Sequence, residues 1–102
     1  MVSTLKQEAR EAQRLLANVP DEYIFWSHTG HILHNMRELK EELETMSDEG
    51  YAYHANMEKN DFFNWVRDII KDNKLASDLL RAPNRAQAAK IVASRISTLS
   101  RK

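Results

Sequence analysis

Large apolar side chains are densest between Asn60 and Ile70, and their spacing there is helical. At about 100° per residue, Phe62, Phe63, Trp65, Val66, Ile69 and Ile70 fall within an arc of about 160°, with Asn64, Arg67, Asp68 and Lys71 opposite. The pattern predicts an amphipathic helix with a wide buried face. Asn60 or Asp61 stands where its side chain can accept hydrogen bonds from the first free amides, and the Asp61 charge suits the positive end of the helix dipole. The rest of the chain is expected to cover this face.

Upstream, Ser3 or Thr4 can cap a first helix that runs to about Asn18, with Leu5, Ala9, Ala12, Leu15 and Leu16 as its apolar stripe. After Pro20 and Asp21, the run Tyr23-Ile24-Phe25-Trp26 reads as a strand. Ser27-His28-Thr29-Gly30 reads as a turn, with Gly30 supplying positive φ, and His31-Ile32-Leu33-His34 as the returning strand. Such a hairpin is marginal alone and must lie against helices. Asn35 followed by Glu38 resembles a capping box for a helix with Met36, Leu39, Leu43 and Met46 inward and Glu38, Glu41, Glu42 and Glu44 on a solvated acidic side. Ser47 to Gly50 forms a turn or helix start, followed by a short helix that packs Tyr51 and His54 or Ala55 inward. Beyond the central helix, residues 71–74 break the pattern. Leu75, Ala76, Leu79 and Leu80 restart it as far as Pro83, and Asn84 caps a last helix with Ala88, Ile91, Val92, Ile96 and Leu99 inward.

The 102 residues allow one core, so residues 1–102 are expected to form a single, mainly α domain: about five helices packed around the central amphipathic helix, with a small hairpin after the first. There are no cysteines, which excludes disulfides, thiolate metal sites and a cysteine nucleophile. No apolar run of signal-peptide or membrane-spanning length is present, and a cytoplasmic, non-membrane protein is the expectation. Net charge is zero but uneven. Residues 1–78 hold nine basic and fifteen acidic side chains, whereas residues 79–102 hold Arg81, Arg85, Lys90, Arg95, Arg101 and Lys102 with no acid.

The order Phe25-Trp26, Glu38-Leu39, Glu42-Leu43, Met46-Ser47-Asp48-Glu49, Tyr53-His54, Lys59-Asn60-Asp61-Phe62 and Asn64-Trp65-Val66-Arg67-Asp68 resembles a family of uncharacterised small helical domains of archaea and bacteria, some free-standing and some attached to larger chains. The likeness covers roughly residues 20 to 98, and the Lys-Asn-Asp-Phe block is its most specific part. It implies a fold and no catalytic residue. The chain departs from the family pattern at Phe63, His31 and His34.

Three groupings could carry chemistry. His28, His31 and His34 recur every third residue, a spacing that suits metal binding only if the imidazoles converge, and in a strand His31 and His34 would face opposite ways. No metal or cofactor is therefore expected. His54 with Asn60 and Asp61 offers half of a hydrolytic triad, but no serine lies in a glycine-rich elbow, and the expected role is to tie the loop of residues 55–60 to the central helix. The segment from Trp65 to Leu99 could pass for a helix-turn-helix unit with a basic last helix, and Arg85, Lys90, Arg101 and Lys102 would then contact nucleic acid. On the wheel only Lys90 and Arg101 align, and Arg95 lies beside the apolar arc, where its stem would snorkel.

Eight aromatic residues are many for a domain of this size. In a strand, Tyr23 and Phe25 oppose Ile24 and Trp26, so one pair, together with Phe63, would be exposed as a partner surface. The leading expectation is a non-enzymatic interaction or adaptor domain that contacts a protein partner or a second copy through Trp26, Phe63, Tyr23 and Phe25. Nucleic-acid binding through the basic tail is the alternative. An enzyme ranks third, for want of a nucleophile, a phosphate-binding glycine loop or a dense carboxylate cluster.

Overall fold

The computed structural model describes residues 2–102, and side chains from Lys6 onward. Ser3, Thr4 and Leu5, named above as cap and stripe residues, have side chains outside that description. The elements are α1 (Val2–Leu16), a 3-10 turn (Asp21–Tyr23), β1 (Phe25–Trp26), β2 (Ile32–Leu33), α2 (Met36–Thr45), α3 (Asp48–His54), α4 (Asp61–Trp65) continued by a π-helical turn (Val66–Ile70), α5 (Asn73–Leu80) and α6 (Arg85–Ser100). The chain is mainly α, with six α-helices among the described residues and a two-stranded hairpin after the first. No helix among them is long and apolar enough to cross a membrane.

Short polar side chains start the helices. Asn35, Ser47, Asn60, Asp72 and Asn84 each accept a hydrogen bond from the backbone N–H three residues on, which satisfies an amide that the helix itself leaves free. The most extensive helix pairing is α2 with α6. α4 and its π-helical continuation pack on α5, and α1 lies across α2 and α6. Met36, Leu39 and Leu43 of α2, Val66, Leu75 of α5 and Val92 of α6 are completely buried, and Phe62 and Trp65 lie beside them. Phe62 stacks on Phe25 and Tyr51 at 5.2 and 5.7 Å between ring centres, and Trp65 meets Phe25 edge-on at 5.6 Å.

The strands are shorter than the sequence suggests because Tyr23 belongs to the 3-10 turn. Phe25 pairs with Leu33 and Trp26 with Ile32. Gly30 does adopt positive φ, at 97°. Leu80, expected inward, is exposed at the last position of α5, while its neighbour Leu79 is buried.

The central helix does not end as an ordinary α-helix. Lys71 N–H and Asp72 N–H both reach the Val66 carbonyl, at 2.7 and 3.1 Å, and Lys71 sits in the left-handed region at φ 68°. A side chain there costs energy that glycine avoids. Lys71→Gly is therefore expected to raise stability by a few tenths to about 1 kcal/mol, as glycine's greater unfolded-state freedom offsets part of the relief. Urea midpoints of the two chains check this.

Candidate functional site

The hairpin turn is built over a buried carboxylate. Glu42 was expected on the solvated side of α2, but it is 3% exposed. The reason is the turn of residues 27–31, which brings three donors down onto it: the Ser27 and Thr29 hydroxyls donate to Oε2, and the His31 ring nitrogen Nδ1 lies 2.7 Å from Oε1. Burial pushes the Glu42 carboxyl up, but the hydrogen bonds from Ser27, Thr29 and His31 outweigh it and hold the group below the ordinary value. Four residues earlier on α2, Glu38 accepts from the His34 backbone N–H and from its ring, at 2.7 and 2.9 Å. His31 and His34 flank β2 without being in it, so the alternation argument does not govern them. Each instead meets an acid on one side of α2, and the returning strand is held to that helix at both ends.

Because the folded Glu42 carboxyl titrates below its unfolded counterpart, its contribution is complete above the ordinary carboxylate range and is lost as pH falls through the folded value. Wild type is thus expected to lose urea stability steeply below about pH 4.5. Glu42→Gln should be weaker at pH 7 and fall less on acidification. Parallel acid limbs for the two chains would show that the carboxylate contributes nothing.

His54, 4% exposed, lies on the other side of the turn. Its Nε2 accepts from the His28 backbone N–H at 2.9 Å, which places the ring proton on Nδ1, 2.9 Å from Asp61 Oδ2. Lys59 reaches the same Asp61 oxygen at 2.9 Å. For Asp61 too, burial raises the carboxyl while the bonds from His54 and Lys59 lower it further, leaving it below its ordinary value. With both ring nitrogens engaged, His54 has none left to accept a proton from a nucleophile. The arrangement ties the hairpin turn, the 55–60 loop and the start of α4 together. His28 stacks on the exposed Tyr53 ring at 4.0 Å. Among the described residues no three His, Asp or Glu side chains converge as metal ligands.

The hairpin has two unlike faces. Phe25 and Leu33 point into the core, whereas Trp26 is 69% exposed and Ile32, directly across from it, is 37% exposed. Phe25, at 8% exposed, therefore cannot belong to a contact surface: β1 turns it onto Phe62 and Trp65. Tyr23 is half exposed, because the 3-10 turn frees it from strand alternation, and its carbonyl accepts from Trp65 Nε1 at 2.8 Å. Phe63 is only partly exposed, packed against the core and covered by the Arg67 guanidinium at 4.8 Å.

The basic tail is less free than its composition suggests. Arg85 pairs with Asp48 at 2.9 Å and donates to the Leu43 carbonyl at 2.8 Å, closing the end of α2. Arg95 forms two bonds to Asp72, at 2.7 and 3.2 Å, so its stem lies along the apolar arc and its head stops at a buried acid. Lys90, Arg101 and Lys102 remain exposed. Residues 27, 29, 42 and 72 escaped the sequence reading. One signal was present: Glu42 lies about 40° from Met46 on the wheel, at the margin of the apolar stripe.

Comparison of the chain with protein-family models, with characterised proteins and with solved structures gives no match, so the family likeness rests on the residues quoted for it.

Proposed function

We propose that this chain is a small, non-enzymatic interaction domain whose contact surface is the outward face of the hairpin, anchored by Trp26 and bordered by Ile32 and Tyr23. The observation that supports this most is the exposure of Trp26 beside Ile32 in a chain that buries Trp65, Phe62 and Phe25 efficiently. Tryptophan is costly to leave in water and is over-represented among residues that dominate binding energy. The face is also presented on a fixed support, since Glu42, Glu38 and His54 hold the turn and β2 from beneath. A contact residue so held loses little freedom on binding.

A photoreactive phenylalanine analogue at position 26, with exposed Ser94 of α6 as the control position, tests this in living cells. The expected result is a discrete cross-linked product from position 26 and none from position 94. The mass of the product tells a second copy from another protein. Equal labelling from both positions, or none from position 26, would overturn the reading.

A further inference from the structure

The partner's chemistry can be read from the groove beside Ile32, the residue paired across from Trp26. Beside Ile32, β2 and α2 enclose an open groove of about 350 Å³ lined by His31, Ile32, Leu33, Glu38, Glu41, Glu42 and Thr45. Three carboxylates and no Lys or Arg line it. Glu42 is engaged from below and Glu38 by His34, but Glu41 is exposed and has no ion-pair partner among the described residues. Asp21 and Glu22, in the turn that leads into β1, are also exposed. Trp26 and Ile32 form a cross-strand pair next to the bonded pair of Ser27 and His31, so in the antiparallel ladder their own N–H and C=O groups point outward from the two strands.

Resting on the reading above, we propose that the hairpin's outer face receives a basic segment of a partner protein that carries apolar side chains between its Lys or Arg residues. Aliphatic side chains cover Ile32 and the Trp26 ring, a cation lies over the indole face, and a second cation meets Glu41. The outward backbone groups let such a segment lie extended along a strand. Acidic partners and nucleic acid are repelled by the same carboxylates. The basic α6 of a second copy does not supply such a segment, because its exposed Lys90 and Arg101 sit on or at the end of a helix whose apolar residues face inward.

The test titrates the ¹⁵N-labelled chain with a short peptide of alternating Lys and Leu, and separately with one of alternating Glu and Leu, following the indole N–H signals of Trp26 and Trp65. The Lys–Leu peptide is expected to move the Trp26 signal and not that of Trp65, with affinity falling as salt rises. Glu41→Lys should weaken it about tenfold or more, and the Glu–Leu peptide should not bind. Equal binding of both peptides, an unchanged affinity for Glu41→Lys, or shifts confined to residues away from the hairpin would each overturn the proposal. A cross-link from position 26 alongside such a failure would leave the interface reading standing and reject only the partner's charge.

Discussion

Trp65→Ala should destabilise the fold by about 3–5 kcal/mol. The ring is 6% exposed, meets Phe25 edge-on and donates its Nε1–H to the Tyr23 carbonyl. Truncation therefore opens a cavity at the junction of the central helix with the hairpin and also leaves that carbonyl without its donor. Domains of this size are stable by only about 5–15 kcal/mol, so the loss is a large fraction of the total. Trp65→Phe separates the two contributions: it keeps most of the apolar volume, loses the hydrogen bond and part of the packing, and should lie clearly between wild type and the alanine variant. Urea midpoints measure all three chains. An alanine variant as stable as wild type would mean the core lies elsewhere.

Asp72→Ala is the second large effect, expected at about 3–5 kcal/mol. Asp72 has a 2% exposed side chain and serves two helices at once, accepting from Leu75 N–H to begin α5 and holding both Nε and Nη2 of Arg95 from α6. Removing it strips the cap and strands the guanidinium of Arg95, whose side chain is 18% exposed. The double change Asp72→Asn with Arg95→Met should recover much of the loss, because Asn keeps the cap and Met fills the space without a charge. A double variant as weak as Asp72→Ala would show that the charge pair is not the origin of the effect.

These residues also show what could be read from the sequence. Asn35, Ser47, Asn60 and Asn84 could be recognised as helix starts because capping is local: the acceptor and the amide it serves are three residues apart. The inward stripe of Met36, Leu39 and Leu43 and the buried face of Phe62, Trp65, Val66 and Ile70 followed from periodicity alone. Glu42 with Ser27, Arg95 with Asp72 and Arg85 with Leu43 are separated by 15, 23 and 42 residues, and nothing local specifies which acid or carbonyl a folded chain brings to which donor. For the same reason the acidic side of α2 and the basic tail looked freer than they are. Trp26 could be singled out as a candidate but not assigned, since a strand pattern that alternates does not say which face the helices cover. The π-helical turn gave no sign in the apolar spacing, because Val66, Ile69 and Ile70, which lie within it, also fit the α-helical period of the face.

The most direct measurement of the central claim replaces both tryptophans by 5-fluorotryptophan and records their ¹⁹F resonances in buffer and in extract of the source cells. Residue 65 is buried and reports the state of the fold, and residue 26 reports the hairpin's outer face. The account predicts that the residue 26 resonance shifts or broadens in extract while that of residue 65 keeps its position and broadens only with viscosity. Resonances that change in parallel, or not at all, would contradict an interface at Trp26.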